Sequence, residues 1–190
     1  MITRCIPIVV AMVLVGGCSN PKAANRTNFE KAIREYVNHE AENGKWCMGP
    51  KDYPKTWEEP FDDRPFTTLQ FTRKASKVGS HWIYSIWLYE LTEEGRKFHT
   101  PGKGFCFAEP DLVEIGSFSE PSSFGPYTMS EVHYELKFKN IPQWTRQKAF
   151  LDWFRGNSEV LAILNSQRVQ DKATLILTNS GWVHEKLFNK

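Results

Sequence analysis

Four cysteines and five histidines are the residues of this 190-residue chain best suited to bond-making chemistry, and their spacing limits what that chemistry can be. Cys5, Cys18, Cys47 and Cys106 form no CxxC pair, so no dithiol redox centre or compact thiolate cage is written into the chain. His39, His81, His99, His133 and His184 make no HExxH or HxH arrangement, and a zinc or iron site would need ligands gathered from distant segments. His133 and His184 lie close to glutamates in segments expected to be antiparallel neighbours, directly paired or one strand apart. They would build a polar site if both faced water; the plainer reading is two exposed strand histidines. The acidic pairs Glu58-Glu59 and Asp62-Asp63 lack the DxDxDG spacing of a calcium loop and read as a solvated surface. Ser80, between Gly79 and His81, lacks the GxSxG elbow of a hydrolase nucleophile. Pro101-Gly102-Lys103-Gly104 reads as a connector into a strand, not as a phosphate cradle. No residue is therefore assigned a catalytic, cofactor-binding or metal-binding role, and the chain is not expected to be an enzyme.

The clearest instruction in the sequence is at its start. Arg4 lies in a short polar opening, Ile6 to Val15 is apolar, and Gly16, Gly17 and Cys18 follow. An apolar run of about 10 residues is too short to cross a bilayer that takes about 20 helical residues, and a basic start before small residues is how a secretory signal is built. The stretch Val15-Gly16-Gly17-Cys18 resembles the lipobox of bacterial lipoproteins. That resemblance implies a signal peptide over 1–17, acylation of Cys18 as the first residue of the mature chain, and a membrane anchor through N-terminal acyl chains. Because Ser19 rather than Asp follows, the sorting pattern of enteric lipoproteins implies the outer membrane, facing the periplasm. With Cys5 discarded and Cys18 acylated, Cys47 and Cys106 remain as a pair in an oxidising compartment and are expected to form a disulfide. Closing that loop of about 60 residues would restrict the unfolded chain by about 4 kcal/mol. A thiol nucleophile or a metal pair is the alternative use of the two, without supporting spacing.

The elements that must position these residues follow from composition and period. After the leader and a small, polar tether over 18–26, residues 27–190 suit a single domain. The 24 Lys and Arg and 22 Asp and Glu are scattered, which leaves no basic footprint for nucleic acid. Seven tryptophans, Trp46, Trp57, Trp82, Trp87, Trp144, Trp153 and Trp182, supply either a core and its rim or an aromatic surface for a partner. Thr27 or Asn28 can cap a helix from Phe29, with Ala32, Ile33, Tyr36 and Val37 on its packed face. Residues 48–65 read as a loop, Thr67 to Val78 as a second, weaker helix stopped by Gly79, and Ile83 to Glu90 as a strand apolar on both sides.

Tyr89-Glu90-Leu91-Thr92-Glu93-Glu94-Gly95-Arg96-Lys97-Phe98 resembles the strand and following helical turn of winged-helix domains, with Thr92 as the cap. From Gly104 the chain reads as sheet. Val132, Tyr134, Leu136 and Phe138 alternate with polar residues, one or two helical segments over 149–164 break near Gly156-Asn157, and a terminal hairpin turns at Asn179-Ser180-Gly181. The expected class is α+β, with a winged-helix-like helical half over 27–100 packed on a C-terminal antiparallel sheet over 101–190. "FCF" after the LTxxGR-like turn, "IPQW" after the alternating strand and the closing "LTNSGW" resemble a poorly characterised group of proteobacterial lipoproteins, a likeness that implies fold and address but no activity. Exported, such a protein does not meet the chromosome, so Arg73, Lys74 and Lys77 read as a solvated face. The function expected is a non-catalytic envelope module that binds another envelope protein. The alternative is an envelope hydrolase acting on cell-wall or lipid material, and a deep pocket with convergent His, Glu or Asp would distinguish it from an aromatic patch.

Overall fold

The computed structural model describes residues 20–59 and 65–188, so the leader 1–17, Cys18 and the Asp62-Asp63 pair lie outside the described residues. Helix α1 spans Arg26–Glu42, and its cap is Asn25, whose side chain accepts from the Asn28 amide at 2.9 Å. The helix therefore opens before Phe29, because Asn25 takes the capping role expected of Thr27 or Asn28. Phe29, Ala32, Ile33, Tyr36 and Val37 form its buried face.

The chain then gives β1 (Cys47–Met48), β2 (Lys55–Glu58), β3 (Thr72–His81), β4 (Tyr84–Leu91) and the short helix α2 (Glu93–Phe98). Next come β5 (His99–Thr100), β6 (Gly104–Cys106), β7 (Glu109–Phe118), β8 (Ser122–Phe124) and β9 (Tyr127–Lys139). A 3-10 turn at Gln143–Arg146 precedes α3 (Lys148–Trp153) and α4 (Ser158–Ser166), and the chain closes with β10 (Arg168–Thr178), β11 (Gly181–His184) and a 3-10 turn at Glu185–Leu187. Helices and mostly antiparallel strands thus mix as an α+β architecture.

The largest sheet has the order β11-β10-β9-β7, with β8 folded back on the start of β9. Its register follows from β9, where Ser130, Val132, Tyr134, Leu136 and Phe138 are buried while Glu131, His133 and Lys139 are exposed. A period of two leaves one wet face and one apolar face. Helix α1 lies on the apolar face, where the Phe29 ring meets Phe118 and Trp182 edge-on, each at 4.9 Å. Arg26, at the first turn of α1, donates to the Ile115 carbonyl and, at 3.2 Å, to that of Gly116, beside an irregularity in the β7 register. Val160, Ile163 and Leu164 of α4, capped by Asn157, complete the cover.

A second sheet, β1-β6-β5, is small, and in it Cys47 and Cys106 are direct cross-strand partners joined by a disulfide, Sγ–Sγ 2.09 Å. The third sheet, β2-β4-β3, forms an arm whose edge strand β3 is exposed along most of its length. Here the structure departs from the sequence reading: the helix expected over 67–78 is a turn, ended by Gln70 at φ +60°, followed by strand β3. Leu69 and Phe71 point inward from the turn while Ala75 and Val78 are exposed, so their helix-like spacing joined residues of two different elements. Pairing with β4 overrides the local helical period. Strand β4, expected to be covered on both faces, has Tyr89 as its single buried residue. Among the described residues of 27–100 there are accordingly one long helix and the six-residue α2, with strands between them.

The disulfide fixes the arm-bearing segment to the end of α1, and its removal tests that role. A Cys47→Ala/Cys106→Ala double variant should lose about 2–4 kcal/mol in urea unfolding, with the secondary structure retained. An unchanged unfolding midpoint would show that the bridge constrains nothing that the core does not already hold.

Candidate functional site

His133 and His184 do not meet. Strand β10 separates their strands, and they face opposite sides of the sheet: His133 is exposed and lies 3.1 Å from Glu131, whereas His184 is 2% exposed on the core side, opposite Leu175. His184 stacks on Tyr36, ring centroids 3.7 Å apart, and its Nδ1 accepts the Lys186 amide at 3.1 Å, capping the last 3-10 turn. Lys186 reaches back to donate to the Tyr36 hydroxyl at 3.2 Å, which holds its ammonium above the usual lysine range. Close by, the Tyr134 hydroxyl donates to Asp171 at 3.0 Å, and burial together with that carboxylate pushes it above the usual tyrosine range. The constellation clasps α1 to the terminal hairpin, and its His is spent on a cap.

On the wet face of the same sheet, a groove of about 460 Å³ is lined by Glu114, Gly116, His133, Glu135, Arg168 and Gln170, among others. Its charges satisfy one another: Arg168 binds Glu135 at 2.7 Å and Lys137 binds Glu114 at 2.7 Å. The Lys137 hydrogen bond holds Glu114 below the usual carboxylate range, and Lys172 does the same for Glu131. Exposed pairs of this kind add little stability. Among the described residues, no three His, Cys, Asp or Glu side chains come together to hold a metal.

The other chemistry-bearing residues gather on the arm. Glu58 accepts from His81 Nδ1 at 3.0 Å, Glu59 pairs with Lys74, and Arg73 pairs with Glu90 at 3.1 Å. The Glu58-Glu59 pair is thus part of the arm's ionic lacing, not a cation loop, and Ser80 sits opposite Ser85 in the β3–β4 pairing. Lys74 also lies 5.0 Å over the Trp87 ring. Two register shifts in β3, between Lys74 and Ser76 and between Lys77 and Gly79, distort its outer edge, a device that discourages addition of another strand.

What remains open on the arm is its tip. The strands pair up to His81 and Tyr84, so Trp82 and Ile83 alone make the turn, and they are 89% and 88% exposed. Val78 and Tyr84 are exposed beside them. Trp82 has φ +58°, the left-handed region that a two-residue hairpin turn with one such residue normally gives to glycine. The β8–β9 hairpin does use glycine there, Gly125 at φ +58°. A bulky residue in that region costs about 1–2 kcal/mol, and exposing a tryptophan and an isoleucine gains nothing in folding. Such features concentrate where a surface serves recognition.

No family model, no curated protein and no solved structure significantly matches this chain.

The root of the arm is as constrained as its tip is open. Phe71 packs against Phe98, Phe105 and Trp144 at 5.2, 5.2 and 5.4 Å. Thr92 caps α2 through Gly95 N at 3.0 Å, and its hydroxyl donates to the Gln70 carbonyl at 2.6 Å. Gly95 lies directly against the Phe71 carbonyl, with no room for a Cβ. Sequence reading identified the Thr92 cap but missed the tip, because a Trp-Ile turn carries none of the Gly, Asn or Asp signals by which hairpins are recognised.

The buried imidazole gives a pH test of the clasp. Burial is the leading cause that pushes the His184 pKa down to about 4 from 6.5, with Lys186 acting in the same direction against the pull of Glu185, Asp171 and Glu40. The folded protein thus refuses a proton that the unfolded chain accepts: this contribution is complete above pH 6.5 and is lost as pH falls toward 4. The loss should reach about 3 kcal/mol. His184→Phe, which keeps the stack on Tyr36 but removes the titration and the cap, should start about 1 kcal/mol less stable at pH 7. Its urea midpoint should then fall less steeply than that of the wild type between pH 6.5 and 4. Parallel curves would contradict this role.

Proposed function

We propose that this chain is a lipoprotein of the bacterial cell envelope, anchored through acyl chains on Cys18 in the outer membrane and facing the periplasm, that binds another envelope protein with no catalytic step. The lipobox-like Val15-Gly16-Gly17-Cys18 supports the address. Support for binding comes chiefly from one observation, the exposed Trp82-Ile83 tip held in a left-handed turn. A tryptophan with an aliphatic neighbour is the kind of anchor that fills a partner's apolar pocket, and the laced flanks of the arm supply the polar rim around it. For the winged-helix likeness of residues 27–100, support is confined to the strand, Thr92 cap and short helix of 84–98, since the second upstream helix it also drew on is strand β3, and it adds no nucleic-acid role.

Two variants of the full chain test the two parts of this reading. Cys18→Ser should leave the precursor unprocessed or release it from the membrane fraction; wild-type protein found soluble in the periplasm would refute the anchor. Trp82→Gly/Ile83→Ser should remain in the membrane fraction with its disulfide intact. Its unfolding midpoint should rise, since glycine takes the positive φ at no steric cost, by about 1 kcal/mol in stability. The same variant should lose the crosslinked product that the wild type forms with an envelope protein. Retention of that product, or its absence from the wild type, would overturn the binding reading.

A further inference from the structure

We infer that the β8–β9 hairpin is a second membrane contact, with Phe124 entering the headgroup region of the bilayer that holds the acyl chains. The inference rests on the lipid anchor proposed above and concerns how the body sits once anchored.

The argument begins with the reach of the chain. Cys18 precedes Asn20 by two residues, and two extended residues span at most about 7 Å. Asn20 is not the start of a loose tether. Its carbonyl accepts from Asn28 Nδ2 at 2.9 Å and from the Ala23 amide at 3.1 Å, the Lys22 carbonyl accepts from Trp182 Nε1 at 3.2 Å, and Pro21 lies against Gly181. Residues 20–26 are thus bound to the body, although their composition suggested a free linker. An acylated Cys18 must then bring the surface around residues 20–22 to the headgroups.

That surface is shaped by the β8–β9 hairpin and the end of the chain. Lys22, Tyr127, Leu177, Thr178, Asn179 and Phe188 line a shallow groove of about 400 Å³. Tyr127 meets Phe188 edge-on at 5.3 Å and is paired in register with Phe124 at the tip. Phe124 is 74% exposed, presented by the Gly125-Pro126 turn. From Pro121 to Ser130 there is no Asp, Glu, Lys, Arg or His, in a chain that carries 24 Lys and Arg and 22 Asp and Glu. Placing this segment among headgroups desolvates no charge, while an aromatic tip with a tyrosine behind it suits the interface, where aromatic rings collect. A lipid surface is the occupant favoured here because the anchor leaves so little distance between the tip and the bilayer.

The test uses the full acylated chain in its own envelope with a photoreactive residue, Phe124→p-benzoylphenylalanine, and Ile83→p-benzoylphenylalanine as a second site. Irradiation should give phospholipid adducts at 124, several-fold above those at 83, with the disulfide intact in both. Protein adducts in place of lipid at 124, or equal lipid adducts at the two sites, in chain that remains in the membrane fraction, would overturn the hairpin contact and leave the anchor standing. Chain recovered in the soluble fraction would overturn both.

Discussion

The arm depends on its root. Strand β3 has one buried residue, Thr72, and β4 has one, Tyr89, with Trp57 and Trp87 of the β2–β4 pair half-buried, so the arm has only a thin core of its own. Small sheets with so little fully buried surface are marginal in water. What holds this one is a knot of aromatic rings and hydrogen bonds at its base: Phe71 among Phe98, Phe105 and Trp144, and Thr92, which at once caps α2 and ties the chain at Gln70 and Phe71. The disulfide lies next in sequence to Phe105, whose ring stacks on Phe66 at 4.6 Å and on Phe71 at 5.2 Å. The bridge and the ring stack thus restrain the same short strand, β6, from two sides.

The second organising feature is the length of β9. From Tyr127 to Lys139 it runs about 40 Å at about 3.4 Å per residue. The segment that leads to Cys18 is bound near its first residue, through Lys22, Trp182 and the groove beside Tyr127. The root of the arm is linked to its other end, where Phe138 meets Trp46 at 5.4 Å and Trp144 follows in the next turn. Between these ends, His184, Tyr36 and Lys186 clasp the first helix to the last hairpin. An acylated chain built this way would have its anchor near one end of β9 and the root of its arm linked to the other.

Much of the fold was legible where period and capping agree. The five buried positions of α1, the alternation of β9, the Asn157 break between α3 and α4 and the Asn179-Ser180 turn all come from residues whose local preference and tertiary burial point the same way. The main departures fall on the arm. Leu69, Phe71, Ala75 and Val78 imitate a helical face because a left-handed Gln70 divides them between a turn and a strand, which no period reveals. Strand β4 looks like a core strand because its apolar residues serve an exposed arm. The candidate site was hidden because Trp82 and Ile83 occupy a turn that stability alone would give to glycine, so local and global preferences conflict where recognition is proposed.

The central claim is that the Trp82-Ile83 tip is covered in the envelope by a partner protein and bare in the isolated chain. Maleimide labelling of an Ile83→Cys variant, in permeabilised cells and after purification, measures this directly. The account predicts slow labelling in the envelope and fast labelling once purified, with the difference removed by the additional change Trp82→Gly. Equally fast labelling in both settings would contradict it.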